Sequence, residues 1–159
     1  RCFMFRLTFL ILVIALALGK PATSQTTDAE DAQAVIDAVQ IQLQWLGNRN
    51  VDALATTFTD HAVIVVSRQL DDGATNSVTP VAEWLDRSRA NQDAAPFEER
   101  ISNIQVTIDS GQLAHLRADF AIIVDGVTRS SGKDHFILIK EPDGWKVALL
   151  GYTNISSSQ

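Results

Sequence analysis

The stretch Lys140-Glu141-Pro142-Asp143-Gly144-Trp145-Lys146 decides the fold of this chain. Pro142 presets φ for the first corner of a type I turn, and Gly144 can adopt the left-handed backbone conformation that closes it. Apolar runs at residues 136–139 and 147–150 lie on either side of the turn. The segment therefore predicts a β-hairpin.

Two further turn signals precede this hairpin, at Asp109-Ser110-Gly111 and Asp125-Gly126. Each one separates two apolar, strand-like runs, which is the pattern of strands joined by tight turns. Residues 98–153 are therefore predicted to form an antiparallel meander of about four strands. The helices must then come from the part of the chain that precedes the meander.

The first predicted helix begins near Thr27-Asp28-Ala29-Glu30, which has the Thr-x-x-Glu spacing of a capping box. Apolar residues recur behind it at helical spacing along one face. They are Val35, Ile36, Val39, Leu43 and Leu46. Gly47 and Asn48 are expected to end this helix.

Two shorter helices follow in the prediction. Asn50 or Asp52 can cap the second one, and residues 62–67 form an apolar, β-branched strand. Residues 71–77 have loop composition, and Thr79-Pro80 opens the third helix with Thr79 as the cap and Pro80 in the first turn. This order predicts an α+β cone, in which about three helices pack over the concave face of a curved antiparallel sheet.

The N-terminal segment has the pattern of a secretory signal peptide at residues 1–24. Arg1 and Arg6 precede an apolar run at residues 7–18, and small residues at 22–24 suit cleavage before Gln25. A membrane anchor is the alternative, but the run is shorter than the roughly 18 to 20 residues that cross a bilayer. We therefore expect an exported protein, periplasmic or extracellular, whose single domain at 25–159 has no membrane attachment.

Charge and cysteine content limit the classes of function. The chain has 13 basic and 19 acidic side chains, for a net charge of −6. Since the segment 1–24 holds three basic side chains and no acidic one, the domain at 25–159 is more acidic still. An acidic domain without a basic cluster repels phosphate backbones, so no nucleic-acid partner is expected. Cys2 is the only cysteine, so no disulfide or thiol chemistry is expected after cleavage.

Four segments carry a family resemblance. They are residues 45–54 (WLGNRNVDAL), 58–62 (FTDHA), 132–140 (GKDHFILIK) and 143–153 (DGWKVALLGYT). They resemble the SnoaL-like branch of the nuclear transport factor 2-like superfamily, over nearly the whole domain. The resemblance implies a deep apolar pocket between sheet and helices, and often a homodimer formed through the sheet. It leaves the activity open, because the superfamily includes isomerases, cyclases, dehydratases, epoxide hydrolases and members without known activity.

The strand predicted at residues 113–124 has one apolar and one mixed face. The apolar face carries Ala114, Leu116, Ala118, Phe120, Ile122 and Val124, and the mixed face carries Leu113, His115, Arg117, Asp119, Ala121 and Ile123. Two assignments are open. Either the apolar face is the core and the mixed face is solvated, or the mixed face lines the pocket and the apolar face packs against a second subunit.

The mixed face supplies the candidate catalytic residues. Arg117 and Asp119 are two apart on one strand, so they point the same way about 7 Å apart. An arginine beside a carboxylate keeps it ionised, as a general base requires, and His115 could assist. The spacing resembles two members of the catalytic triad of limonene-epoxide hydrolases, although Gly151 stands where the third, acidic member would be. The alternative is a surface ion pair of little consequence.

Four other side chains are candidates for ligand contact. Asp134 fits a Gly-x-Asp-x-Phe pattern of the SnoaL-like branch, and is either a pocket acid or a polar strand residue that bonds nearby backbone. Tyr152 could donate to a ligand oxygen. Trp84 and Trp145 are either pocket wall or core, since each buries a large apolar area.

Neither a metal nor another cofactor is expected. His61, His115 and His135 lack the spacing of a metal site. The leading hypothesis is an exported domain that binds a small apolar molecule in the cone, and the alternatives are a hydrolase, isomerase or cyclase with Asp119 as general base, or a protein-interaction subunit. A homodimer through the sheet is expected from the apolar face of residues 113–124.

Overall fold

The computed structural model describes residues 28–70 and 73–156. The helices are α1 (Asp28–Gly47), α2 (Val51–Ala55) and α3 (Val81–Ala90). The strands are β1 (Phe58–Leu70), β2 (Gly73–Pro80), β3 (Glu98–Asp109), β4 (Leu113–Val124), β5 (Val127–Glu141) and β6 (Gly144–Ser156). The predicted signal peptide at residues 1–24 and the capping residue Thr27 lie outside the described residues.

No helix in the described part of the chain combines the length and the apolar character needed to cross a membrane.

The six strands form one open sheet in the order β2-β1-β6-β5-β4-β3. The meander from β3 to β6 is antiparallel throughout, which confirms the prediction for residues 98–153. The sheet as a whole is mixed, because β1 lies beside the last strand and runs parallel to it. Three helices and this curved sheet make the predicted α+β architecture.

The turns of the meander adopt the backbone conformations that the sequence requires. Asp125 and Gly126 have φ values of 51° and 76°, and Ser110 and Gly111 have values of 52° and 65°. A turn with two successive residues of positive φ has a backbone twist that matches the right-handed twist of the flanking strands. Gly144, with φ of 127°, ends the last turn in a region that favours glycine.

The short helices begin close to the predicted positions. Asn50 caps α2, and its side-chain Oδ1 accepts a hydrogen bond from the Ala53 backbone N–H at 3.1 Å. The prediction for α3 is wrong by one residue, since Pro80 occupies the N-cap position without a side-chain cap and Thr79 belongs to β2. The chain passes directly from an extended strand into the helix, so no separate capping residue intervenes.

The prediction of a loop at residues 71–77 is wrong for the described part, 73–77. These residues belong to β2, which pairs antiparallel with β1 from Leu70↔Gly73 to Val63↔Pro80. Polar composition suggested a loop. A strand at the edge of a sheet can nevertheless be polar, because one neighbouring strand forms hydrogen bonds with half of its backbone N–H and C=O groups. Nearly all of β2 is exposed.

All three helices cover the same face of the sheet, which we call the inner face. Buried side chains of α1, such as Val35 and Val39, meet buried residues of the central strands, such as Leu116, Phe136 and Leu138. The apolar face of β4 is therefore the core face, and the first of the two assignments is correct. The reverse side of the sheet, which none of the helices in the described residues covers, is called the outer face.

This result removes the original reason for expecting a dimer. Leu116 and Ala118 are fully buried within one chain, and Phe120 is nearly so. They are covered by the chain's own helices and are not available to a second subunit.

Candidate ligand-binding site

A cavity of about 210 Å³ lies between the inner face and the helices. Its walls are mostly apolar and include Leu43, Leu46, Trp84, Phe120, Ile122 and Leu150. Five of the lining residues have polar side chains, and two of these are acids, Glu99 and Asp134. An apolar hollow with a small number of convergent polar groups is the usual form of a small-molecule site.

Strand alternation places Asp134 in this cavity. On β5 the residues at 134, 136 and 138 all face inward, and Phe136 and Leu138 are fully buried. Asp134 lies opposite Ala118 of β4 and Tyr152 of β6. Because Ala118 has a small side chain, the space in front of the Asp134 carboxyl is not filled by its neighbour.

Asp134, which is buried, and Glu99, which is partly buried, form an acid pair at the cavity wall. Asp134 is only 2% exposed, and its Oδ2 atom has no hydrogen-bond partner among the described residues. The two carboxyl groups are close enough to influence each other's pKa. Two neighbouring carboxylates repel each other when both are ionised, so the pair favours a state in which one acid keeps its proton.

Both acids hold their protons more tightly than usual. Burial, and then the neighbouring charge of Glu99, raise the pKa of Asp134 to about 9. Burial raises the pKa of Glu99 to about 7, although the interaction with Asp134 works in the opposite direction. The pair therefore retains a proton at neutral pH, and it can offer a ligand both an O–H donor and an acceptor oxygen.

Trp84 and Tyr152 form the boundary between this cavity and an adjoining cleft of about 320 Å³. Both residues line both spaces. Tyr152 packs edge-on against Phe120, with ring centroids 6.3 Å apart, and Trp84 packs edge-on against Phe58 at 6.0 Å. The predicted ligand contacts Trp84, Asp134 and Tyr152 thus meet at one cavity.

Trp145 is not part of this group. It is buried in the core and does not line the cavity. Its register partner is Lys140, close to the β5–β6 turn and six residues along β5 from Asp134. The expectation that Trp145 contacts the ligand is corrected: this tryptophan belongs to the core at the other end of the hairpin.

His115, Arg117 and Asp119 lie on the outer face, because they alternate with the buried residues of β4. Asp119 binds Lys133, its register partner on β5, and accepts a hydrogen bond from Asn103 Nδ2 at 2.8 Å. The Lys133 contact is the main reason why the pKa of Asp119 is lowered. The placement of these three candidates in the pocket is therefore wrong, and Asp119 is bonded mainly to Lys133 and Asn103.

Two histidines stack on the outer face. His115 Nε2 and His135 Nδ1 are 3.3 Å apart, and the rings are nearly parallel. Partial burial, followed by the charges of His115 and Arg117, lowers the pKa of His135. His61 lies apart, exposed on β1. Among the described residues, no three histidine, cysteine or acidic side chains come close enough to hold a metal ion.

Sequence reasoning missed Glu99, although a usable signal was present. Glu99 lies in the run Glu98-Glu99-Arg100, which resembles a solvated start of a strand. Phe97 and Ile101, each two residues from Glu99, are partly buried. Side chains two apart share a face of a strand, so this alternation would have placed Glu99 inward with its apolar neighbours.

Solved structures with the same architecture are numerous but distant. They include an NTF2-like protein of unknown function from Shewanella baltica, which is 18% identical in sequence. The alignment covers 84% of this chain and 100% of that chain, with a TM-score of 0.65. A candidate dehydratase of the NTF2-like family from Streptomyces avermitilis has 13% identity, coverages of 82% and 100%, and a TM-score of 0.63. An NTF2-like protein with a cystatin-like fold from Novosphingobium aromaticivorans has 14% identity, coverages of 82% and 85%, and a TM-score of 0.61.

These similarities, at low sequence identity, concern the fold alone. A comparison with curated proteins gives no match. The family model of the SnoaL-like domain matches residues 27–150, which is most of the chain. This protein therefore belongs to the SnoaL-like domain family.

Proposed function

We propose that this domain binds a small, largely apolar molecule in the cavity, with an oxygen or nitrogen of the ligand against Asp134. The observation that carries the proposal is the buried Asp134 Oδ2 atom, which has no hydrogen-bond partner among the described residues and lies at the wall of an apolar cavity. An unpaired polar atom in such a place costs about 1–3 kcal/mol. A ligand polar group that bonds to it would recover part of that cost.

A neutral aromatic dye provides the test of this proposal. N-phenyl-1-naphthylamine has an apolar body and one N–H donor, and its fluorescence rises when it leaves water. We expect saturable binding to the wild type. Leu46→Trp adds bulk at the cavity wall and should weaken binding at least about tenfold, since overfilling a packed space costs about 1–3 kcal/mol.

The matched control for Leu46→Trp is Ile41→Trp on the same helix. Ile41 is 48% exposed and does not line the cavity. This variant should bind the dye as the wild type does. If the wild type does not bind the dye, or if both variants bind it equally well, the proposed site is wrong.

A proton-transfer enzyme is the second candidate, and the acid pair favours it. The hypothesis of an enzyme is retained, but the acid–base role moves from Asp119 to Glu99 and Asp134, which face the cavity. In an isomerase or dehydratase reaction, ionised Glu99 would take a proton from a carbon of the substrate. Protonated Asp134 would deliver its proton to a second carbon or to a departing hydroxyl, which leaves as water.

Binding and catalysis can be distinguished with whatever molecule copurifies with an Asp134→Asn variant. That molecule is incubated with wild-type protein in D₂O and weighed by mass spectrometry. A gain of deuterium, or the loss of one water, would establish an enzyme. An unchanged mass would leave the domain as a binding protein.

We also propose a homodimer, formed through the outer face. The central strands there present the apolar side chains Val65, Ile137 and Leu149. Two further apolar residues on this face are well exposed, Val78 at 69% and Ile139 at 42%. The three helices all pack on the inner face, so none of them covers this apolar surface. A second copy of the chain would bury it.

The dimer has a direct test in sedimentation at micromolar concentration. The wild type should sediment as a dimer, and Ile137→Arg should be monomeric because it places a charge at the centre of the apolar surface. Ile41→Arg, on the opposite side of the molecule, should remain dimeric. A monomeric wild type would contradict the proposal.

Export is the remaining part of the proposed function. The basic start, the short apolar run and the small residues before Gln25 support it. N-terminal sequencing of the protein recovered after export should begin at Gln25. Recovery of the chain inside the cell with residues 1–24 intact would contradict export.

A further inference from the structure

The cleft beside the cavity carries an unusual concentration of positive charge. Three arginines from three different elements line its volume of about 320 Å³. Arg49 comes from the turn between α1 and α2, Arg68 from β1, and Arg87 from α3. No acidic side chain of the described residues lines the cleft, although acidic residues outnumber basic ones in the chain by 19 to 13.

Among the described residues, few acidic side chains compete for the charge of two of the three arginines. Arg87 faces only Glu83, at 3.9 Å, in a pair that is more than half exposed and therefore weak. Arg68 makes no ion pair with any residue of the described ranges 28–70 and 73–156. Arg49 is more constrained, because its guanidinium lies 4.8 Å from the centre of the Phe97 ring and donates to the Ala95 carbonyl.

The cleft and the cavity adjoin each other. Trp84 and Tyr152 line both of them. The cavity alone, at about 210 Å³, is smaller than the roughly 300–1,000 Å³ of typical ligand pockets. A ligand of ordinary size that enters the cavity would therefore extend past Trp84 and Tyr152 into the cleft.

We propose that the ligand is an amphipathic organic anion, whose apolar body fills the cavity and whose single carboxylate, or a group of similar shape and charge, binds Arg68 and Arg87 in the cleft. This inference rests on the proposed function, and it specifies the chemical class of the ligand. The guanidinium group matches a carboxylate with two parallel hydrogen bonds, which makes arginine the preferred partner for such groups.

The charge distribution also fixes the orientation of the ligand. At the inner end of the site, the acid pair repels an anion whenever Glu99 is ionised. At the outer end, the arginines attract it, and their field raises the local concentration of anions at the entrance. The ligand would thus enter with its apolar end first and keep its anionic group at the cleft.

Two dyes that differ only in a sulfonate test this inference. They are 8-anilinonaphthalene-1-sulfonate, which is an anion, and its neutral counterpart N-phenyl-1-naphthylamine. The wild type should bind the anionic dye at least about tenfold more tightly, since a hydrogen bond to a charged group contributes about 1.5–3 kcal/mol. In the double variant Arg68→Gln/Arg87→Gln this preference should disappear, while binding of the neutral dye stays unchanged.

A control with the same change in net charge is Arg89→Gln/Arg129→Gln, because neither arginine lines the cleft. It should keep the tenfold preference. If the neutral dye binds but the anionic dye gains nothing, or if both double variants lose the preference equally, the anion subsite is wrong and the proposed function stands. If neither dye binds the wild type, the proposed function itself fails.

Discussion

Replacing Asp134 with Asn is expected to stabilise the domain at pH 8 by at least about 2 kcal/mol, the equivalent of between one and two units of the raised pKa. The wild type must keep a proton on a carboxyl group that is almost completely buried and has Glu99 beside it. Asparagine is neutral at every pH and nearly isosteric with aspartic acid, and its N–H can donate to Glu99. Urea denaturation measures the difference.

The extra stability of the Asp134→Asn variant should depend on pH in a defined direction. The pKa of Asp134 in the folded state, about 9, is higher than the value of about 4 expected in the unfolded chain. The folded state therefore binds more protons than the unfolded state between these two values, and wild-type stability falls as pH rises through this range. The advantage of the Asp134→Asn variant should be small near pH 4 and grow towards pH 9.

Asp119→Asn is the matched control, and we expect it to change the stability in the opposite direction. The pKa of Asp119 is lowered by its bond with Lys133, so its ionised form stabilises the folded state. This variant should be less stable than the wild type at pH 8, and the difference should shrink as pH falls. If Asp134→Asn is destabilising at pH 8, or its effect does not vary with pH, Asp134 is not a buried protonated acid.

Gly132→Ala is expected to destabilise the domain by about 3 kcal/mol, at the upper end of the usual cost of overpacking. A Cβ atom at position 132 would overlap the Thr153 carbonyl oxygen of β6 and lie 2.7 Å from Cε1 of Phe120. The overlap with Thr153 involves backbone, which cannot move aside without breaking the β5–β6 pairing. Because Phe120 is part of the cavity wall, its displacement should also weaken dye binding.

Gly126→Ala separates this effect from the ordinary cost of replacing glycine. Gly126 has φ of 76° and nothing within 4 Å of an added Cβ, so the variant should lose only the roughly 1–2 kcal/mol of a left-handed non-glycine residue. Denaturant midpoints compare the two variants. Equal stability of Gly132→Ala and Gly126→Ala would mean that β5 and β6 are not so closely packed at this point.

Strong local signals explain why most of the fold could be predicted from the sequence. Glycine and proline at the turns, together with two-residue alternation, identify the meander, and helical spacing identifies α1. The parallel pairing of β1 with β6 has no local signal, because α3 and the strands β2 to β5 separate the two segments in the sequence. The edge strand β2 was missed since its polar residues face water on nearly all sides.

The candidate site was only partly predictable, for a similar reason. Alternation divides β4 into two faces, but the helices that decide which face is inner lie elsewhere in the sequence. This left Asp119 and Asp134 as competing acids until their neighbours were known. The partnership of Asp134 with Glu99 depends on strands that are not adjacent in the sheet, so no spacing in the sequence reveals it.

Native mass spectrometry of residues 25–159, purified from the export compartment, tests the central claim most directly. The wild type should carry an additional small mass that is absent from the Leu46→Trp variant and present in Ile41→Trp. The same molecule should ionise as an organic anion if the arginine cleft binds its charged end. A wild type without added mass that also fails to take up N-phenyl-1-naphthylamine would contradict a ligand site beside Asp134.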